Sequence, residues 1–285
     1  MSLKKRLARK PILLAPGVYD PLSAKIASQV GFEALYVSGA GIAYTRLGRP
    51  DIGLSTATEV VETIALIRDV VDLPLIVDGD TGFGNALNMQ RTIRDYERAG
   101  ANAIQIEDQT FPKRCGHLSE KTLIPAREMV GKIHAALDAR RTDDMLVMAR
   151  TDAIAVEGLE QALERARLYS EAGADILFIE APRDLEQLAL IGGGAGLEKP
   201  MLANMVEGGR TPLLSAAELD KMGFGIVIFP AGVVRMVAKA ASDFYSTLLH
   251  DGSSSALTER MFDFEGLNNV IGTSNILAAG KKYQD

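Results

Sequence analysis

Asp78 and Asp80 stand one glycine apart at the end of the apolar run LPLIVDGD. A D-x-D is commonly a turn former or a helix cap, but residues two apart at the end of a buried strand send their side chains to one face. Other acids end apolar runs in the same way: Glu107 and Asp108 in IQIED, Asp152 in MLVMARTD, Glu180 in DILFIE, and Glu207 after ANMV. Ser38 and Asn204 occupy matching positions, and Arg150 is the one arginine among them. Several carboxylates cannot share a small cavity unless their pKa values rise or a cation compensates them. Oxygen donors of this kind suit Mg2+, with Mn2+ as a substitute, rather than Zn2+. Arg150 at a strand end reads either as a buried ion pair or as a bidentate clamp on a substrate carboxylate, a role its planar guanidinium fits better than lysine does.

Between Asp108 and Pro125 lies DQTFPKRCGHLSEKTLIP, longer than the two to six residues usual for a connection in an α/β unit, and this length predicts a lid. It carries Cys115, the only cysteine, flanked by Lys113 and Arg114 and followed by Gly116 and His117. Nearby positive charge lowers a thiol's pKa and makes it a better proton carrier. The remaining histidines carry less information: His134 falls inside the helical pattern AREMVGKIHAAL, and His250 ends a helix.

The elements that must position these groups are legible as a repeated junction. GFEALYVSG, AGANAIQIED, AGADILFIEA and MGFGIVIFPA each place a continuous apolar run directly after a glycine. Glycine suits the left-handed end of a helix, and an unbroken apolar run suits a strand buried on both faces. Four further runs, at 10–17, 73–80, 144–152 and 199–208, interleave with these, and amphipathic stretches such as NALNMQRTIRDYERAG and GLEQALERARLYSEAG separate them. Eight β-α units in roughly 250 residues predict a (β/α)8 TIM barrel with its chemistry at the C-terminal ends of the strands. The reading is one barrel domain over residues 1–285, with extra helices over 252–285 after the break Gly-Ser-Ser-Ser. GGGAG at 192–196 lacks the Lys-Ser/Thr of a phosphate loop and precedes a strand, so it belongs to the other barrel face.

Composition excludes several alternatives. A formal net charge of -6 with no Lys/Arg-dense block argues against nucleic acid as a partner. No apolar run approaches the roughly 18 residues of a membrane span, and the basic N-terminus leads into a short run broken by Pro16 and Gly17, so neither an anchor nor a secretory signal is expected. A single cysteine forms no intramolecular disulfide, which suits a cytoplasmic protein.

YVSGAG at 36–41, PDIGLST at 50–56, VDGDTGFGN at 77–85, IEDQ at 106–109, KRCGH at 113–117 and ARTDA at 149–153 together resemble the isocitrate lyase and phosphoenolpyruvate mutase superfamily. The resemblance runs from about Pro16 through the eighth unit. It implies a Mg2+-dependent barrel with a mobile active-site loop, often with a C-terminal helix exchanged between subunits; the apolar tail MFDFEGLNNVIGTSNILAAG, with no place left to pack on a completed barrel, predicts a homotetramer of paired, helix-swapped dimers. It assigns Asp78 as metal ligand, with Asp51, Asp80 and Glu107 holding metal-bound waters. Ser38, Gly39 and Ala40 would bind the substrate carboxylate and oxygen, with Tyr36 beside them, and Arg150 would clamp the carboxylate. KRCGH resembles the lyase branch, in which Cys115 would be the catalytic acid. Gly116 would join the substrate-binding set and His117 the catalytic one. NMVEGGRTP at 204–212, where Asn204 would receive substrate, looks closer to the dimethylmalate lyase group than to 2-methylisocitrate lyases.

The activity so implied is cleavage of a carbon-carbon bond in a small 2-hydroxy di- or tricarboxylic acid, giving a 2-keto acid such as pyruvate and a second carboxylic acid. The base that removes the hydroxyl proton is open among Tyr36, Glu180 and a metal-bound water. Rival readings on the same barrel are an oxaloacetate hydrolase or decarboxylase and a phosphonate-forming mutase. A non-catalytic barrel that binds a dicarboxylate is the rival from another class, and it would be expected to lack Cys115 or the D-x-D.

Overall fold

Gly31, Gly100, Gly173 and Gly223, the four glycines of the repeated junction, all take left-handed backbone angles, with φ of 105°, 107°, 100° and 101°. Each stands at the end of a helix and turns the chain into a strand. In the computed structural model, which describes residues 2–116 and 120–284, eight such strands are parallel. They are β1 (Leu13–Val18), β2 (Leu35–Val37), β3 (Leu75–Asp78), β4 (Ala103–Glu107), β5 (Leu146–Thr151), β6 (Ile176–Ile179), β7 (Met201–Asn204) and β8 (Ile226–Phe229). They close in chain order, with β8 returning to β1 through the register Leu13 to Ile226 and Ala15 to Ile228. The barrel expected from the sequence is the barrel observed, with one strand in each of the eight runs, β1 passing the end of its run by one residue, Val18.

Helix ends are fixed by the residues at their borders. Asn85 accepts hydrogen bonds from the N–H groups of Leu87 and Asn88 to start the helix Ala86–Ala99, and Gly100 ends it. Thr56 with Glu59 and Ser215 with Glu218 form reciprocal caps for Ala57–Val70 and Ala216–Met222. The glycines of TGFGN serve this packing: a side chain at Gly82 would meet Met89, and one at Gly84 would meet Asn88, so the loop closes onto its own helix.

Inside the barrel, alternate residues of the strands form the core: Leu13, Ala15, Tyr36, Ile76, Ala103, Leu146, Met148, Ile176, Phe178, Leu202, Ile226 and Ile228. Leu3, from the short helix Leu3–Leu7, joins this cluster. Arg6 of that helix holds Glu33 through two hydrogen bonds of 2.9 and 2.8 Å. Gly192, Gly193 and Gly194 line a cavity of about 320 Å³ with Ile12, Pro200 and Gly225, where β1, β7 and β8 begin. That is the face opposite the strand-end acids, as the sequence placed it.

The chain divides into two compact units, residues 1–232 and 233–285, and the barrel strands all lie in the first. The second contains most of the helix Gly232–Asp251, a 3-10 turn Ser255–Arg260, and the helices Phe264–Ile271 and Thr273–Lys281. Asp243 binds both Lys239 and Arg260, and Asp263 caps the helix that follows it. Among the described residues no helix is long and apolar enough to cross a membrane.

Candidate active site

The alternation that fills the core delivers polar groups at its upper end. Following Ile76 inward and two residues on gives Asp78; Ala103 leads to Gln105 and Glu107, Met148 to Arg150, Phe178 to Glu180, and Leu202 to Asn204. Strand register then sets neighbours: Asp78 lies beside Gln105, and Glu107 beside Arg150. Asp78 also accepts hydrogen bonds from the Asp80 N–H (3.2 Å) and from Gln105 Nε2 (3.1 Å). Tyr36 donates its hydroxyl to Gln105 Oε1 at 2.7 Å. Burial, and next the charge of Asp78, push the Tyr36 phenol well above its ordinary pKa, so it stays protonated and acts as a donor.

Asp51, Asp78, Asp80 and Glu107 are all buried in this region. Lys113 reaches in from the 108–125 loop and stands among them, its Nζ 2.6 Å from Asp51 and 2.8 Å from Asp80. Burial raises Asp80 to about 6 against the pull of Lys113, with Asp78 and Asp51 adding to the rise. Burial also pushes Glu107 well up, although Arg150 opposes it. Asp80 itself adopts φ 48°, an uncommon conformation for a residue with a side chain. The region holds six buried carboxylates, Asp152 and Glu180 included, against three buried cations, Lys113, Lys121 and Arg150.

That excess of negative charge fits a hard divalent cation. The donors are all oxygen, and Glu107 Oε1 is buried with no hydrogen-bond partner among the described residues. Among those residues no three acids, histidines or thiols converge to hold an ion directly. Oxygen donors alone are what Mg2+ takes, and it commonly keeps several waters beside one or two carboxylates.

Arg150 is gripped by Asp152 through Nε (2.9 Å) and Nη2 (3.1 Å) and lies over the Phe178 ring at 5.0 Å. Its Nε is 3.4 Å from Glu107 and its Nη1 3.9 Å from Glu180. Burial works to lower its pKa, but Asp152, Glu107 and Glu180 outweigh that and hold it well above the ordinary value. Asn204 donates to Glu180 at 3.2 and 3.4 Å. Gly116 comes down on the same two side chains: a methyl group there would collide with Arg150 Nη2 and stand 2.8 Å from Glu180 Oε1. A methyl at Gly39 would stand 2.9 Å from Asp78 Oδ2, so the backbone after β2 closes on that carboxylate. Ser38 caps the turn there, accepting from the Gly41 N–H at 3.1 Å, and Ala40 follows half-buried in the helix Gly39–Ile42.

Cys115 is half-buried, and its main-chain N–H donates to the Asp51 carbonyl at 3.1 Å. The cations flanking it are engaged by acids, Lys113 with Asp51 and Asp80, and Arg114 with Glu120 at 2.8 Å. His117 lies outside the described residues. The candidates from the sequence thus converge from β2 through β7 and the long loop. Gln105 and Lys121, which the sequence did not mark, belong with them, as do Lys113, read there as a flank of Cys115, and Asp152, read there as a strand-end acid. Lys121 is buried and binds Asp152 at 2.8 Å. Behind them Asp108 accepts from Thr151, Tyr169 and Arg165 and from the Asp152 N–H.

Residues 3–249 match the family model of phosphoenolpyruvate phosphomutase. The chain belongs to the phosphoenolpyruvate mutase and isocitrate lyase superfamily. Among relatives in this superfamily, 2,3-dimethylmalate lyase of Eubacterium barkeri is 42% identical over 99% of this chain and 97% of that protein. The 2-methylisocitrate lyase of Aeropyrum pernix is 46% identical over 95% of this chain and 87% of that one. A crystal structure of 2,3-dimethylmalate lyase superposes with a TM-score of 0.93 at 36% identity, covering 98% of this chain and 93% of that one. Phosphonopyruvate hydrolase, another superfamily member, was crystallised with oxalate and Mg2+; it matches with a TM-score of 0.89 at 30% identity over 99% and 98% of the two chains.

Proposed function

We propose that this carbon-carbon lyase cleaves 2,3-dimethylmalate or a closely related 2-hydroxy acid to pyruvate and a second carboxylic acid. The observation that carries the reading is the seating of the loop: Lys113, Cys115 and Gly116 lie against Asp51, Asp80, Arg150 and Glu180. The backbone on either side of Cys115 is thereby seated on the buried acids and on Arg150, which supports a role for the thiol beside them.

In this reading Arg150 binds the substrate carboxylate with the donors Asp152 leaves to it, and the backbone N–H groups of Gly39 and Ala40 with the Ser38 hydroxyl receive the oxygens beside it. Gly116 and Asn204 complete the binding surface. Mg2+, held by Asp78 with Asp51, Asp80 and Glu107 reached through water, would supply Lewis-acid stabilisation of the negative charge that develops on oxygen. The hydroxyl proton passes to a base, and the C2–C3 electron pair leaves with C3. Glu180, beside Arg150 and Asn204, and Tyr36, beside Gln105 and Asp78, are the protein groups placed to take that proton. Cys115 then protonates C3. His117 retains its catalytic assignment from the motif alone.

A panel of 2,3-dimethylmalate, 2-methylisocitrate, other alkylmalates, oxaloacetate and phosphonopyruvate, assayed for keto-acid formation with Mg2+, tests the reading. Pyruvate from an alkylmalate or from 2-methylisocitrate supports it; turnover of oxaloacetate or phosphonopyruvate alone overturns it. A homotetramer with exchanged C-terminal helices belongs to the same proposal. Support comes from the apolar side chains of residues 233–285 that face outward, among them Met236, Leu249, Phe264 and Tyr283. A monomer by light scattering overturns that part. A cytoplasmic location is the setting a lone cysteine suits.

A further inference from the structure

The two residues on either side of Cys115 are held by side chains from the two legs of its own loop. The legs, 108–110 and 121–124, carry a short antiparallel ladder: Thr110 N–H donates to Thr122 O and Ile124 N–H to Asp108 O, both at 2.9 Å, around the bridge between Gln109 and Leu123. From the first leg, Gln109, which is buried, grips the backbone of Arg114 with both ends of its amide. Its Oε1 accepts the Arg114 N–H at 2.9 Å, and its Nε2 donates to Arg114 O at 2.8 Å. From the second leg, Lys121 donates to Gly116 O at 2.5 Å and to Asp152 Oδ1 at 2.8 Å.

Neither arrangement is explained by the fold alone. An ammonium buried to 1% exposure costs several kcal/mol in desolvation. Asp152 already has a bidentate partner in Arg150, so it does not need a second cation. What Lys121 adds is the tie from the Asp152–Arg150 pair to the carbonyl of Gly116. On its other side Gly116 has no room for a side chain, because it rests on Arg150 and Glu180. An amide that matches the backbone of one residue at both N–H and C=O fixes that residue, and so both peptides flanking it, as a strand partner would.

We infer that Gln109 and Lys121 are positioning residues for the thiol of Cys115: they fix the residues before and after it, Arg114 and Gly116, relative to Arg150. Neither side chain touches the reacting atoms. The inference rests on the lyase reading for the thiol's role, and its chemistry is the protonation step. The C2–C3 pair has moved to C3, the S–H bond breaks, and the C3–H bond forms. A thiol held in place delivers its proton to one face of the planar enolate. A thiol displaced by about 1 Å loses roughly 10²-fold in rate and lets solvent protonate either face.

The test uses full-length, Mg2+-loaded wild type, Gln109→Ala, Lys121→Met and Lys121→Arg, with 2,3-dimethylmalate in D2O. Wild type should give 2-deuteropropionate of one configuration. Gln109→Ala and Lys121→Met should lose roughly 10²-fold in kcat and release a mixture of enantiomers, with KM changed by less than about threefold because Asp152 keeps its grip on Arg150. Lys121→Arg, which can still donate to both acceptors, should recover most of the rate and the single configuration. Wild-type kcat with a single enantiomer in both variants overturns the inference, as does a loss carried wholly by KM. A second arm needs no turnover: iodoacetamide should alkylate Cys115 about tenfold faster in Gln109→Ala and Lys121→Met than in wild type, and equal rates overturn the inference. Absence of pyruvate from the wild type would exclude 2,3-dimethylmalate as the substrate without touching this inference, which the alkylation arm would then decide.

Discussion

The main-chain N–H of Cys115 donates to the carbonyl oxygen of Asp51, while the carboxylate of the same aspartate holds Lys113 Nζ at 2.6 Å. One residue of the PDIGLST segment thus anchors the long loop twice, once through backbone and once through charge. The Lys113 ammonium also sits within 2.8 Å of Asp80, in the middle of the acids proposed to hold the metal. Removing it should raise the cluster's hunger for a cation and release one anchor of the loop. Lys113→Met is expected to bind Mg2+ roughly tenfold more tightly in the substrate-free enzyme, about 1.4 kcal/mol, while turning over more slowly. Calorimetric titration with Mg2+ checks it, and weaker binding would count against it.

Removal of the metal is the complementary experiment. Six buried carboxylates against three cations leave the cavity uncompensated, so keto-acid formation should cease in EDTA and return with Mg2+ or Mn2+. Asp78→Ala should abolish Mg2+ binding, and Asp80→Ala, acting through water, should only weaken it. Full turnover in chelator would contradict the assignment.

The thiol itself is tested by Cys115→Ser. The side chain is only half-buried and its backbone contact survives the change, so melting temperature and Mg2+ affinity should stay near wild type. Serine is a far weaker acid, and general acid catalysis is typically worth roughly 10²- to 10⁴-fold, so kcat on 2,3-dimethylmalate should fall within that range. Near wild-type rates would remove Cys115 from the mechanism.

The barrel could be read from the sequence because buried parallel strands are continuous apolar runs and because Gly31, Gly100, Gly173 and Gly223 end helices in a conformation glycine favours. Its strand-end acids followed from the fold. Gln105 escaped because it lies inside an apolar run, although counting by twos from Ala103 toward Glu107 puts it on the inward face. Lys113 reads only as a positive flank of Cys115, and nothing in the sequence marks Lys121; their partners Asp51 and Asp152 are 62 and 31 residues away, a distance no local pattern spans. The glycines of TGFGN carry no local sign of their partners: Gly82 and Gly84 close on Met89 and Asn88. The five-residue helix Leu3–Leu7 is too short to show a helical period.

Asp108 joins stability to the site more directly than any other residue. It is fully buried, and its Oδ2 accepts from Thr151 at 2.7 Å, Tyr169 at 2.8 Å and Arg165 at 3.3 Å, while Oδ1 accepts the Asp152 N–H at 3.0 Å. Arg165 is shared with Glu157, so the network runs from the helix after β5 to the backbone that carries Asp152 and, through it, Arg150. Breaking a buried charge network by removing one partner costs about 3–5 kcal/mol, and because Glu157 would still hold Arg165 the lower end of that range is expected for Asp108→Ala. Tyr169→Phe, which removes a single donor, should cost about 1–1.5 kcal/mol. The two losses should also differ in kinetics. Asp108→Ala frees the Asp152 main chain and should raise KM with the loss of a fixed Arg150, whereas Tyr169→Phe leaves that hydrogen bond in place and should leave KM near wild type. Urea unfolding and steady-state kinetics on the two variants measure both effects, and an Asp108→Ala enzyme with unchanged KM would show that Arg150 holds its place without this support.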